Sequence, residues 1–383
     1  MTTASRLVLA RRRRGLTVTR LAQHTGLTAR RLSDFESGRA TPSPPSLAAL
    51  SAALEFPESF FSAGEVADLT ADSVSFRALS KMTASQRDIA LSSGRLAREL
   101  QAWIADRFRL PPPEIPSLTS FSRLDADGEQ VPSTGESAGE SCPAEDAAEL
   151  VRARWGLGYA PIPHLTHLLE AHGTRVFSLS GDCLEVDAFS FWDRGIPFVL
   201  LNLGKTAERG RFDAAHELGH LVLHGEEQMP HGPLAEAEAH RFAAAFLMPR
   251  ADVLAHAPQG ATTDWILQAK RRWKVAAMAL AHRLHELALT TEWQYRTHCV
   301  DLGRLGYRKD EPRSPLTRET SQVLGKVFAA LRREGVRPAD VARDLHLRPA
   351  DLNDLIFGLV VTSQEGGGRG GFDKAPPSLS LVR

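Results

Sequence analysis

The apolar positions of the chain change their period several times along its 383 residues. Between residues 5 and 61 they recur at helical spacing in short runs. Thr17 is placed to cap a helix reaching about Thr25, Gly26 breaks it, and Thr28 is placed to cap the next, which ends before Gly38. After the step "TPSPPS", the run "LAALSAALEF" again sets its apolar residues on one helical face. Residues 83–109, with Leu96, Leu100, Trp103 and Ile104, predict a long amphipathic helix, either a connector or a dimerisation element. The pattern then dissolves into Pro, Gly, Ser and acids, and about 111–143 reads as a flexible linker. Helices are predicted at 145–155 and 161–172, and strands at "TRVFSL", "EVDAFSFW" and "PFVLLN". The stretches "FDAAHELGHLVLHGE" (212–226) and "EAEAHRFAAAFLMP" (236–249) return to helical spacing. Further helices are expected at about 262–289 and 316–360, before a Gly-rich tail.

One pattern occurs twice. "GLTVTRLAQHTGLTARRLSDFESG" (15–38) and "GVRPADVARDLHLRPADLNDLIFG" (335–358) align without a gap, pairing Leu21 with Val341, Leu27 with Leu347 and Leu32 with Leu352. The second copy carries Ala350 and Asp351 where the first has Arg30 and Arg31, which suggests a tri-helical unit reused for protein contact. These boundaries divide the chain into an all-α domain at 1–62, a helical connector at 63–110, the linker at 111–143 and an α+β domain with trailing helices at 144–299. A C-terminal helical domain at 300–361 and a disordered tail at 362–383 complete it. The expected fold class is mainly α with a small β-sheet.

Composition narrows the classes. A hydrophobic fraction of 43% suffices for buried cores, and 46 Lys+Arg against 46 Asp+Glu leave no global charge to choose a partner. Residues 1–62 differ, with nine arginines against Asp34, Glu36, Glu55 and Glu58. Cys142, Cys183 and Cys299 form no CxxC pair, which argues against a disulfide framework and against a thiolate zinc site. With no signal-peptide pattern and no run near the roughly 18 apolar residues of a membrane span, the expectation is a cytoplasmic protein without a membrane partner.

Two helices around a tight glycine turn, the second one basic, are the pattern of a helix-turn-helix, whose second helix presents its first residues to the major groove of double-stranded DNA. "RRRRGLTVTRLAQHTGLTARRLSDFESGRATPSPPSLAALSAALEFPESFF" resembles the Xre/Cro family, and the "E-x-G-R…P" ending of the third helix is its most specific part. The sequence departs at Val18, where the family usually has glutamine. By position Ala29, Arg30 and Asp34 fall where such helices face bases, and Thr28 and Arg39 near phosphates. A homodimer on a palindromic operator is the matching expectation.

His216, Glu217 and His220 form HExxH. Residues four apart on a helix stand one above the other, so both imidazoles can reach one Zn2+, with Glu217 beside them as general base. A catalytic zinc needs a third protein ligand and an open position. "EAEAHRFAAAFLMP" offers Glu236 and Glu238; Glu236 shares a face with His240 and is favoured, leaving Glu238 as an orienting residue or a competitor. His224 continues the face of His220 and reads as a helix-end histidine, with oxyanion stabilisation the competing role. His231 and His240 read as structural or exposed. Asp213 is placed to cap the helix, and "PFVLLN" to supply an edge strand for an extended peptide.

"RFDAAHELGHLVLH" followed by "E-x-E-A-x-R-F-A-A-A-F-L-M-P" resembles the ImmA/IrrE metallopeptidases over about 145–300, departing at His240, where many relatives have Asn or Asp. The resemblance implies a zincin-like fold, His216, His220 and Glu236 as zinc ligands and Glu217 as base. It also implies that a transcriptional repressor or an antitoxin-like protein is the substrate. The expectation is a DNA-binding regulator with a zinc endopeptidase domain. The alternative is a non-catalytic regulator or antitoxin-type repressor that uses the peptidase fold as a sensor.

Overall fold

The computed structural model describes residues 2–75, 82–116, 143–179, 181, 186–225, 232–312 and 314–358. Most of the expected linker, the whole expected tail, Cys142, Cys183 and His231 lie outside them.

The chain opens on five short helices: α1 (Ala4–Arg13), α2 (Val18–Thr25), α3 (Ala29–Glu36), α4 (Pro44–Leu54) and α5 (Glu58–Ser62). Thr17 and Thr28 accept from the N–H groups of Arg20 and Arg31, which caps α2 and α3. Gly26 turns between them at φ 71°, a left-handed conformation that glycine adopts without a steric penalty. Leu7, Leu21, Leu32, Leu50 and Phe60 fill the centre and are fully buried.

The run Arg11–Arg14 does not form an open cationic surface. Arg11 holds Glu36 through two hydrogen bonds of 2.6 and 2.9 Å, and Arg12 lies 3.7 Å from Asp88. Arg13 reaches Asp354 at 3.2 Å, and Arg14 grips both oxygens of Asp351 at 2.7 and 2.9 Å. The local excess of arginine is thus met by acids from three other helices.

A 3-10 turn at Ala71–Ser73 precedes α6 (Ala84–Ala105), whose Thr83 and Gln86 form a capping box. The first residues of the expected linker are ordered against the fold: Glu114 N–H donates to the carbonyl of His172, and Gly173 (φ 83°) backs directly onto Pro112.

The second half is built on α7 (Pro143–Arg154), α8 (Leu165–Ala171) and a three-stranded sheet. Strands β1 (Arg175–Ser178), β2 (Ala188–Asp193) and β3 (Ile196–Leu201) stand in the order β1-β3-β2. The β1–β3 pair is parallel and the β2–β3 hairpin antiparallel. The hairpin turns through Arg194 and Gly195, both at positive φ (51° and 76°), as a two-residue type I′ turn requires. "PFVLLN" therefore supplies the central strand, not an edge, because both its neighbours are hydrogen-bonded to it.

Next come α9 (Ala207–Leu223), α10 (Pro233–Leu247), α11 (Arg250–His256), α12 (Thr263–Trp273), α13 (Ala277–Glu286) and α14 (Glu292–Arg304). The helical stretch expected at about 262–289 divides into α12 and α13 at Lys274, which takes a left-handed φ of 54°. Helices α15 (Gln322–Arg333), α16 (Pro338–Asp344) and α17 (Pro349–Leu355) follow. Here the second copy of the repeated pattern turns through His346 at φ 56°, where the first copy uses Gly26. The buried residues of the N-terminal helices, the sheet domain and the C-terminal helices join in one hydrophobic cluster. Among the described residues no helix is long and apolar enough to cross a membrane.

Candidate metal centre

Helix α9 lies under β2 and β3 and carries the HExxH residues at its middle. It starts six residues before Asp213, with Thr206 as its cap, accepting from Arg209 N–H at 3.4 Å. Asp213 is therefore not the capping residue; it is buried in mid-helix and accepts from Lys205 at 2.7 Å. Gly219, inside HExxH, lets α10 come close. A Cβ there would stand 3.1 Å from the ring of Phe242 and 3.2 Å from the backbone of Ala239.

That approach sets Glu236 over the two histidines. The Nε2 atoms of His216 and His220 are 3.1 Å apart, and the Glu236 carboxylate lies 3.2 Å from the first and 3.4 Å from the second. A tetrahedral ion with bonds of about 2.0–2.1 Å places its ligand atoms about 3.3 Å apart, so these three donors fit such an ion. They are the one such group among the described residues. Burial alone would raise the Glu236 carboxyl pKa, but hydrogen bonds and charge from His216 and His220 outweigh it and hold the group well below the usual range.

Glu238 points elsewhere. It meets His224 Nε2 at 3.2 Å, while His224 Nδ1 lies 3.1 Å from Nδ1 of His220. With the Nε2 lone pair of His220 turned to an ion, its Nδ1–H donates to His224, whose Nε2–H donates to Glu238. Such outer hydrogen bonds fix the tautomer and ring angle of a ligating histidine. His224 thus stands between His220 and Glu238, one hydrogen bond from each.

Glu217 is 1% exposed. Its Oε2 accepts from Ser190 of β2 at 2.7 Å and from Ser75 at 2.5 Å. Burial pushes the Glu217 pKa up to about 7, against the opposing pull of His220 and the two hydroxyls. Neither serine is marked by a motif. Ser190 shows only as a lone polar residue between Phe189 and Phe191, and Ser75 carries no local signal. A cleft of about 660 Å³ opens beside the histidines, lined by His216, Glu236, His240, His282 and Glu286. His240 is thus part of the cleft wall.

Residues 169–285 match the IrrE N-terminal-like domain, and residues 4–59 match a helix-turn-helix domain. The chain thus joins a helix-turn-helix domain to an IrrE N-terminal-like domain. No curated protein matches it. The IrrE-like match runs from α8 to α13 and contains HExxH and Glu236, while α7, which packs on α10, lies before it.

In the helix-turn-helix domain Thr28, Ala29 and Arg30 stand exposed at the start of α3. Asp34 and Arg39 meet each other at 3.1 Å, so these two sequence-predicted contacts form an ion pair in the free protein.

Proposed function

We propose that the chain is a DNA-binding transcriptional regulator with a zinc-dependent endopeptidase domain, which cleaves a repressor or antitoxin-like protein. The observation that carries this reading is the 3.1–3.4 Å spacing of the His216, His220 and Glu236 donor atoms with a buried carboxylate beside them. His216, His220 and Glu236 would hold the ion, which when bound supplies a Lewis acid that polarises a carbonyl and acidifies water at neutral pH. Glu217 takes a proton from the attacking water and passes it to the leaving amine. Ser190 holds the carboxylate in place, and His224 with Glu238 holds the ring of His220. Thr28, Ala29, Arg30, Asp34 and Arg39 are the proposed DNA contacts, with Arg39 and Asp34 exchanging their mutual ion pair for phosphate and base. A homodimer on a palindromic operator matches this arrangement.

A second reading is favoured by one observation, the near-complete burial of Glu217. In it the IrrE-like domain is a non-catalytic sensor that controls DNA binding. Incubating wild type and Glu217→Gln with zinc and a panel of helix-turn-helix regulators separates the two. A zinc-dependent fragment made by wild type and absent with the variant supports the peptidase. Metal binding and DNA binding without any fragment support the sensor.

A further inference from the structure

The order β1-β3-β2 leaves β2 with one outer edge among the described strands. That edge is not bare. Val74 bridges Phe191 in antiparallel sense, and Ser75 N–H donates to the carbonyl of Ser190 at 2.9 Å. The Ser190 N–H answers at 2.8 Å, to the hydroxyl of Ser75 instead of a carbonyl, and the same hydroxyl donates to Glu217. Val74 is fully buried and Ser75 is 3% exposed. An extended peptide added to a sheet edge makes main-chain bonds of this kind, with alternate side chains entering pockets. Among the described residues the pairing is the one bridge Val74–Phe191, directly after a 3-10 turn.

We propose that the outer edge of β2 is the docking edge for an extended peptide with a small hydroxyl residue opposite Glu217, and that Val74 and Ser75 occupy it as an internal competitor. The inference rests on the peptidase reading for its catalytic consequence, but not for the docking itself. The competitor belongs to the stretch that leaves the helix-turn-helix domain. This stretch is tied to α1 and α6: Arg6 donates to the carbonyl of Gly64 at 2.8 Å, Arg95 to that of Leu69 at 3.1 Å, and Arg98 to that of Asp68 at 3.2 Å. Arg98 also pairs with Asp193 at the end of β2, at 2.7 Å. An external peptide therefore gains the edge only when this strap yields, and its apparent affinity is reduced by the fraction of molecules with the edge open.

The test uses the full chain and a fluorescent synthetic peptide, Leu-Thr-Ala-Asp-Ser-Val-Ser, which copies residues 69–75. Ser75→Pro removes both the N–H and the hydroxyl; Ser75→Ala removes the hydroxyl alone and serves if the proline variant fails to fold. Fluorescence anisotropy is expected to show at least tenfold tighter peptide binding by Ser75→Pro than by wild type, and a smaller gain in the same direction for Ser75→Ala. Hydrogen exchange at the Ser190 amide is expected to rise in parallel. Peptide binding to the variant supports the docking edge whether or not the peptide is then cut, and the peptidase reading is decided separately by the zinc-dependent fragment from a helix-turn-helix regulator. Unchanged peptide affinity in both variants, with Ser190 exchange raised, would overturn the proposal.

Discussion

His224 stands 3.1 Å from His220, Nδ1 to Nδ1, and turns its other nitrogen to Glu238. The relay makes a sharp prediction for the two glutamates of α10. Replacing Glu236 with alanine removes a donor atom and should abolish tight zinc binding. His224→Ala or Glu238→Ala leaves the three donors in place and should weaken zinc by about 10–100-fold, the usual effect of losing an outer hydrogen bond to a ligating histidine. Competition with a chelator of known affinity measures both. Equal losses in the Glu236 and Glu238 variants would contradict the assignment of Glu236 as ligand.

Gly219 should resist substitution although alanine is the better helix former. The intrinsic preference favours Gly219→Ala by about 1 kcal/mol in a helix interior. Against it stands a methyl group 3.2 Å from the Cα and carbonyl oxygen of Ala239, backbone atoms that move only with α10 itself. Overpacking of this kind costs about 1–3 kcal/mol, so a net loss of stability in urea is expected. Because α10 carries Glu236, zinc affinity should fall with it. A variant more stable than wild type with unaltered zinc affinity would show that the close approach of α9 and α10 is not what positions Glu236.

The cluster of His216, His220 and Glu236 was legible because its spacing is local. His216 and His220 are one helical turn apart, and the face shared by Glu236 and His240 pointed to the side chain of the next helix that stands with them. The strands were legible as apolar runs, but their order was not, since strands buried on both faces give no sign of which is central. The hairpin turn Arg194–Gly195 also lacks the usual Asn-Gly or Asp-Gly. Asp213 was misread as a cap because an acid before an apolar run imitates one, although Thr206 was available upstream. Lys274 breaks its helix without Gly or Pro. Ser75 is 142 residues from Glu217, and nothing near it in the chain announces the contact.

Glu170 should make the fold sensitive to pH, outside the candidate metal cluster. It is buried, and burial pushes its carboxyl up to about 7, while Ser321 and the N–H groups of Gln322 and Val323 at the start of α15 pull the other way. A carboxyl that holds its proton more tightly folded than unfolded stabilises the fold fully below about pH 4.5. That contribution is lost as pH rises through about 7. The shift corresponds to on the order of 3 kcal/mol. Relative to Glu170→Gln, which cannot ionise, wild type should lose urea stability between about pH 5 and 7.5 and run parallel above it. A constant difference across that range would remove Glu170 as the source.

The arginines of the N-terminal domain should divide into two kinds that composition does not distinguish. Arg30 is exposed at the start of α3, where a helix-turn-helix meets base edges. Arg30→Ala should cost about 1–3 kcal/mol of binding to an operator selected from random DNA, with little change in stability. Arg14 has the opposite profile. Its guanidinium spans the buried carboxylate of Asp351 and also donates to the carbonyls of Leu54 and Glu55. Removing it leaves the buried Asp351 facing the more distant Arg13, 3.7 Å away. Arg14→Ala should therefore destabilise the fold by about 3 kcal/mol, and Arg14→Ala with Asp351→Ala by less than the single change. At temperatures where the variant is folded, the salt dependence of its DNA affinity should equal that of wild type, because no phosphate contact has been lost. A shallower salt slope for Arg14→Ala would place Arg14 on the DNA and refute the division.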